Sequence, residues 1–182
     1  MSLAIGCLFP ITIGIYTDYK KNMLYDVITL PILLSGVVYA STQGSLGKAL
    51  IGASIMFSAY FILALLVGGV GGGDIKLAAG IGAWFGIWDG IYIMLIASVL
   101  ALIHGLYKLA KLGRIKEKLQ YWYNGIYLYI LHGNITIKPA QLPQEGEEVP
   151  AEAIPFGIHM GLAVWAWALY IYQPWQLLGG LI

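Results

Sequence analysis

Apolar residues form long runs along this chain, and short polar or glycine-rich stretches separate the runs. The six runs cover approximately residues 3–17, 27–40, 46–67, 75–88, 90–106 and 154–172. Each run predicts a membrane-crossing helix, and Asp89 is expected to cap the N-terminus of the fifth. Several runs are shorter than the usual ~20 residues, so we expect tilted helices or local thinning of the bilayer.

The overall composition supports this assignment. The chain is 59% hydrophobic and only 10% charged, and its mean hydropathy is +0.78. A water-soluble domain of that composition could not hide its apolar surface. The sequence therefore predicts an all-α polytopic membrane protein with about six transmembrane helices, in contact with the lipid bilayer and without a nucleic-acid partner.

The basic residues indicate how these helices are oriented. Lys20, Lys21 and Lys76 fall on the same side as a cluster that follows the fifth run. That cluster contains Lys108, Lys111, Arg114, Lys116, Lys118 and Lys138. Lys48 alone falls on the opposite side. Cytoplasmic loops carry an excess of Lys and Arg, so this side is predicted to be cytoplasmic and the N-terminus to lie outside.

A cytoplasmic insertion is predicted at about residues 107–153, within a single membrane-embedded domain that covers residues 1–182. Its first part repeats apolar residues at three- and four-residue steps, at Leu109, Leu112, Ile115, Leu119, Trp122 and Ile126. Two interpretations remain open: an amphipathic helix on the membrane surface, or an extension of the fifth helix. The second part, residues 134–152, is rich in Pro and Glu and is predicted to be a solvated linker.

The candidate chemistry lies in the glycine-rich stretch between the third and fourth runs. Five glycines lie in residues 68–73, and Asp74 follows them at the end of a membrane-buried segment. An ionisable residue is costly there, which makes it a functional candidate. Glycine has no Cβ and allows a substrate backbone to approach closely. The alternative is an ordinary turn in which Asp74 caps a helix.

A second aspartate, Asp18, ends the first run at the same predicted level as Asp74. Two carboxylates that share a proton can act together: one takes a proton from water while the other donates to a scissile carbonyl. The sequence predicts no metal or cofactor. Cys7 is the single cysteine, and neither His104 nor His159 has a second ligand at metal spacing, so each is expected to hydrogen-bond a neighbouring helix.

Three patches resemble motifs of the type IV prepilin peptidase family, which are membrane aspartic proteases. Residues 18–26 read DYKKNMLYD, residues 71–77 read GGGDIKL and continue with GAWFG at 82–86, and residues 154–157 read IPFG. The second patch is similar to the family's Gly-x-Gly-Asp-x-Lys-Leu motif. The resemblance implies that Asp18 and Asp74 are catalytic. It also implies a substrate-binding role for the flanking residues Gly71, Gly72, Gly73, Pro155, Phe156 and Gly157.

The resemblance further implies the substrate and the location. The substrate would be a type IV prepilin-like precursor, whose basic leader is removed at the cytoplasmic face of the prokaryotic inner membrane. This chain departs from the family where Leu24, Tyr25 and Asp26 replace Ile-Pro-Asn, and where Ile158 and His159 follow Pro-Phe-Gly in place of another proline. It also lacks the paired Cys-x-x-Cys of bifunctional members. It therefore resembles short, peptidase-only Tad-type or archaeal preflagellin forms, and N-methyltransferase activity is not expected.

Two other function classes fit parts of the pattern. Tyr25 and Asp26 with the glycine motif also resemble presenilin and signal-peptide-peptidase relatives, although Asp18 is favoured because it closes a helix whereas Asp26 begins one and can simply cap it. A small non-enzymatic transporter could bind an ion at Asp74 beside a glycine-broken helix. Lys76 is interpreted as an interface anchor rather than a catalytic group. The oligomeric state is left open.

Overall fold

The computed structural model describes residues 2–21, 23–67, 70–120, 123–124 and 154–172. Every regular element in these ranges is helical, which confirms the all-α prediction. A π-helical turn over Ala4–Leu8 leads into α1, Phe9–Lys21. The other helices are α2 (Asp26–Thr42), α3 (Leu46–Val67), α4 (Gly72–Lys111) and α5 (Phe156–Tyr172). Within this part of the chain, two helices, Leu46–Leu66 and Gly72–Lys111, are long and apolar enough to cross a membrane.

Helix α4 is broken at Gly86 into two arms, residues 72–85 and 87–111. Gly86 has a φ of 76°, in the region that favours glycine because it has no Cβ. Tyr60 of α3 lies close to Ser98 in the second arm, and it is also close enough to Asp74 in the first arm to interact with its charge. A straight helix would separate residues 74 and 98 by about 36 Å at 1.5 Å per residue. The arms must therefore fold back along each other, and α4 supplies both the fourth and the fifth predicted helix.

The position of this break corrects one sequence prediction. Asp89 does not cap a new helix, because it lies inside the second arm, three residues after the break at Gly86. Aspartate has a high propensity to cap a helix, but the positive φ at Gly86 decides where the chain turns. The other predicted helices agree with the observed bounds to within a few residues.

Close backbone contacts hold the long helices together. Gly52 of α3 lies against the Gly82 backbone of the first α4 arm, so a Cβ on either residue would collide with the other. Met56 packs on Gly90 in the second arm. Helix α3 therefore contacts both arms, and these glycines permit a closer approach than alanine would.

Contacts at both ends of α1 show how the bundle is arranged. The Ser35 hydroxyl of α2 donates to the Gly6 carbonyl at 2.9 Å, near the start of α1. The other end of α1 meets α5, where the Ile158 amide donates to Asp18 at 3.0 Å. Trp165, further along α5, donates to Thr12 at 3.0 Å. Helix α1 is therefore antiparallel to α5, and its C-terminus lies beside the start of α5.

The predicted cytoplasmic insertion begins with a helix end. Helix α4 stops at Lys111, Gly113 has a φ of 68°, and a separate helical stretch covers residues 115–120. The interpretation of this first part as a continuous extension of the fifth helix is therefore wrong. The membrane-surface placement of this segment stays a prediction, and the predicted linker at 134–152 lies outside the described residues.

Candidate active site

Asp18 lies in the last turn of α1, and only 4% of its surface is exposed. Its Oδ2 accepts a hydrogen bond from the Ile158 amide at 3.0 Å, and the Gly157 amide also hydrogen-bonds this carboxylate. These amides belong to the first turn of α5, where backbone N–H groups have no partner within the helix. Asp18 therefore caps a helix from another part of the chain, with the carboxylate at the positive end of the helix dipole.

Gly157 makes this contact possible. A Cβ at this position would lie 2.8 Å from Asp18 Oδ2 and 2.5 Å from Leu24 Cδ1, closer than real Cβ atoms come. The α5 backbone can approach the carboxylate because no side chain stands between them. This contact gives a structural reason for glycine in the Pro-Phe-Gly patch.

Asp74 lies in the first turn of α4, directly after the glycine stretch. The Gly71 amide donates to its Oδ2 at 3.3 Å, so Asp74 binds the start of its own helix. Gly73 allows close contact with Leu24, because a Cβ there would lie 2.5 Å from the Leu24 carbonyl oxygen. A Cβ at Gly72 would meet nothing within 4 Å. Of these two glycines, Gly73 is packed and Gly72 borders open space.

The structure brings Asp18 and Asp74 to the same end of the bundle. Their carboxylates are close enough for the charge of Asp18 to act on Asp74. Leu24 lies between the helices that carry them, in contact with both Gly73 and Gly157. Two neighbouring carboxylates cannot both be ionised without strong repulsion, so such a pair can hold one proton between them.

Asp26 has a different partner. It is the first residue of α2, and its Oδ1 lies 2.6 Å from Lys76 Nζ. Both side chains are exposed, at 56% and 38%, and an exposed ion pair contributes only about 0–1 kcal/mol. Lys76 thus links α4 to α2, and Asp26 is held in an ion pair beside the site. The role of Lys76 as an anchor at the membrane interface stays a prediction.

Two histidines near this end of the bundle contact each other. His104 Nδ1 in the second α4 arm lies 3.0 Å from His159 Nε2 in α5, and His159 Nδ1 lies 2.9 Å from the Pro155 carbonyl oxygen. The prediction that each histidine hydrogen-bonds a neighbouring helix is confirmed. Among the residues that the structure describes, no group of three or more His, Cys, Asp or Glu side chains could hold a metal ion.

Comparison with known proteins identifies the family. Residues 4–106 match the family model described as the type IV leader peptidase family, and this match covers more than half of the chain. This chain belongs to the type IV leader peptidase family.

Several curated relatives of this leader peptidase family member carry the name prepilin leader peptidase/N-methyltransferase. The protein from Aeromonas hydrophila is 32% identical over 158 residues, which is 82% of this chain and 43% of the relative. The Xanthomonas campestris pv. campestris protein is 30% identical over 62% of this chain and 42% of its own length. The Dichelobacter nodosus protein is 33% identical over 50% of this chain and 35% of its own length. The chain thus spans less than half the length of these relatives, and no solved structure matches it.

Sequence reasoning missed several residues around the site of this leader peptidase family member. Tyr60, which is 8% exposed, has its ring 6.1 Å from that of Phe156 and lies near Asp74. It comes from an unbroken apolar helix, where nothing distinguishes it from other core aromatics. Leu24 contacts both Gly73 and Gly157. The sequence distinguishes Leu24 only by its departure from the family motif. The contact between His104 and His159 could not be read from residues 55 positions apart.

Proposed function

We propose that this chain is a membrane aspartic endopeptidase. It removes the basic leader of type IV prepilin-like precursors at the cytoplasmic face of the prokaryotic inner membrane. One observation carries the proposal: Asp18 from α1 and Asp74 from α4 converge at one end of a helical bundle in a member of the leader peptidase family. The relatives are named prepilin leader peptidase/N-methyltransferase, and the word prepilin in that name supports the substrate class.

The outer surface of the bundle supports the membrane location. Large apolar side chains are exposed on several helices, including Val27 at 84%, Leu66 at 76% and Trp88 at 75%. Such surfaces are costly in water and favourable in lipid. With α4 counted as two arms, six antiparallel segments would cross the bilayer, so the protein would be multi-pass.

The charges support the orientation. Lys20 and Lys21 end α1, Lys76 follows Asp74, and Lys108 and Lys111 lie in the last turn of α4. All five fall at the end of the bundle that holds the two aspartates. Lys48 lies near the start of α3, at the opposite end. Because basic residues mark cytoplasmic loops, we place the catalytic end in the cytoplasm.

The proposed chemistry uses the aspartates as one unit that holds a single proton. The ionised carboxylate takes a proton from water, and the water oxygen bonds to the scissile carbonyl carbon. The protonated carboxyl gives its proton to the carbonyl oxygen. The C–N bond then breaks as the leaving nitrogen takes the proton that came from water. The proton on the former carbonyl oxygen returns to the carboxylate that gave it, so the product carboxyl group forms and the pair again holds one proton. Neither a covalent intermediate nor a metal is part of this proposal.

The substrate would lie along the glycine surface beside the pair. Gly72 borders open space, so an extended backbone can approach there without meeting a side chain. Gly71 and Gly73 flank Gly72 in the chain, and in this proposal Pro155, Phe156 and Gly157 at the start of α5 would contact the substrate from the other side. The apolar pilin segment would lie among the helices, and its basic leader would extend into the cytoplasm.

The decisive experiment is co-expression with candidate prepilin precursors, read by mobility and by the mass of the product. We expect Asp18→Asn and Asp74→Asn each to abolish leader removal while the protein still inserts, and the double variant to be no worse than either single one. Asp26→Asn, which breaks only an exposed ion pair, is the matched control and should still cleave. Full activity in either single variant would refute the dyad, whereas loss in Asp26→Asn alone would move the site to Asp26.

A further inference from the structure

The histidine pair lies close to the site but touches neither aspartate by a described contact. His159 lies in the first turn of α5 and is 4% exposed. Both of its ring nitrogens have partners, one on the second α4 arm and one at the start of its own helix. A buried imidazole needs such partners, because an unpaired polar group in an apolar setting is costly. An apolar residue at position 159 would need no such partners. The presence of a buried, fully hydrogen-bonded histidine there therefore suggests a specific role.

The direction of the hydrogen bonds follows from the acceptor at one end. The Pro155 carbonyl oxygen can only accept, so His159 Nδ1 must donate to it. A ring that carries one proton then has a free acceptor at Nε2, and His104 Nδ1 donates to that nitrogen. The result is a relay from His104 through His159 to the Pro155 carbonyl.

This relay ends next to the amides that bind Asp18. Pro155 directly precedes α5, and the amides of Gly157 and Ile158 hydrogen-bond the Asp18 carboxylate. The second α4 arm also contacts the residue before this proline, because a Cβ on Gly105 would lie 2.7 Å from Ile154 Cδ1. Residues 154 and 155, which lead into α5, are therefore held by the second α4 arm and by His159. The first amides of α5 in turn hold Asp18 of α1.

We propose that His104 and His159 are positioning residues for the peptidase reaction. By fixing the Pro155 carbonyl, they set the direction of the first turn of α5 and hence the place of the Asp18 carboxylate relative to Asp74. The inference rests on the function proposed above. It assigns a role to His159. This residue is part of the departure from the family motif, because Ile158 and His159 follow Pro-Phe-Gly in place of another proline.

Asparagine and glutamine substitutions can test the relay because they place an amide at different points of the imidazole. The amide nitrogen of Asn can replace Nδ1, and that of Gln reaches the position of Nε2. His159→Asn keeps a donor for Pro155, whereas His159→Gln and His159→Leu do not. His104→Asn likewise keeps a donor for His159, whereas His104→Gln does not.

The assay measures cleavage of a purified prepilin precursor by the full chain in detergent or nanodiscs, with kcat and KM determined separately. We expect His159→Leu, His159→Gln and His104→Gln to lose about 10- to 100-fold in kcat with little change in KM, since a misplacement near 1 Å costs that much. His104→Asn should stay within a few-fold of wild type. His159→Asn keeps the donor for Pro155 but loses the bond from His104, so its kcat should fall about as far as that of His104→Gln. Equal losses in His104→Asn and His104→Gln, or wild-type kcat in His159→Leu, would overturn the positioning role.

Two further measurements distinguish a failure of the proposed function from a failure of the histidine relay. If the wild-type chain cleaves no precursor and Asp18→Asn changes nothing, the proposed function fails, not the relay alone. If the substituted proteins do not fold, ¹⁵N NMR of the histidine-labelled wild-type chain tests the relay directly. We expect His104 and His159 both to be protonated at Nδ1, and the unprotonated Nε2 of His159 to be hydrogen-bonded. Finding His159 protonated only at Nε2 would overturn the assignment, because the Pro155 carbonyl would then lack its donor.

Discussion

Replacing Gly157 by alanine tests whether the start of α5 holds Asp18 in its working position. The added Cβ would lie 2.8 Å from Asp18 Oδ2, whereas ordinary contacts begin at 3.4 Å. The Leu24 side chain, the other near neighbour, can rotate away. The carboxylate, by contrast, is hydrogen-bonded to the same turn of helix that carries the new methyl group. We therefore expect Asp18 to move away from α5.

The size of the effect follows from these distances. Relief of the contact requires a shift of about 0.6 Å, which would lengthen the 3.0 Å bond from the Ile158 amide past the usual limit of about 3.2 Å. A hydrogen bond to a charged group contributes about 1.5–3 kcal/mol. Since about 1.4 kcal/mol corresponds to tenfold in rate, we expect kcat to fall by about 10- to 100-fold. Helix propensity acts in the opposite direction on stability, where Gly→Ala gains up to about 1 kcal/mol.

The assay compares kcat, KM and thermal stability for Gly157→Ala and for Gly47→Ala, a matched control. Gly47 lies in the first turn of α3 at the other end of the bundle, and a Cβ there would meet nothing within 4 Å. We expect the control to keep wild-type activity. A Gly157→Ala protein that is folded and retains wild-type kcat would refute the idea that α5 positions Asp18.

Two further predictions concern the product and the segment outside the described residues. When S-adenosylmethionine is present, cleavage by residues 1–182 should yield no product that is heavier by one methylene, about 14 Da. The reason is that these residues contain one cysteine and no Cys-x-x-Cys pair. A methylated product detected by mass spectrometry would contradict this prediction. Replacing Glu145, Glu147, Glu148 and Glu152 by Gln should raise KM for a basic-leader substrate and leave kcat nearly unchanged, because acidic charges steer a basic leader. The difference from wild type should shrink at 1 M salt, where the Debye length is about 3 Å, and an unchanged kcat/KM at low salt would reduce the segment to a linker.

The sequence predicted the helices and their order well because each apolar run extends over many residues. Runs at 46–67 and 154–172 closely match α3 and α5, since a long apolar segment has few alternatives to a helix. The turn was misplaced because Asp89 is a good helix cap in general, whereas Gly86 adopts the positive φ that reverses the chain. Short-range propensity could not show which of the two positions the packing against α3 would select.

The candidate site was predicted in part. That Asp18 and Asp74 lie at the same end of the bundle follows from the order of the helices, because one residue lies at the end of the first helix and the other at the start of the fourth; their catalytic role stays a prediction. Their individual partners do not follow from topology. Nothing in the sequence shows that Ile158 would donate to Asp18, or that Lys76 would pair with Asp26, since each contact depends on helix rotation and on separations of 140 and 50 residues.

The capping of α5 by Asp18 has a consequence for how this family can vary in length. Residues 112–155 connect α4 to α5, and the start of α5 is fastened to α1 by the Asp18 carboxylate and to α4 by the histidines. The contacts between Asp18 and Ile158 and between His104 and His159 therefore fix the position of α5 without residues 112–153. Closing a longer loop costs only about 0.6 kcal/mol per doubling of its length. Insertions, deletions or grafted recognition sequences could accumulate there while the peptidase geometry stays constant, which makes this segment the natural place to diversify or engineer substrate choice.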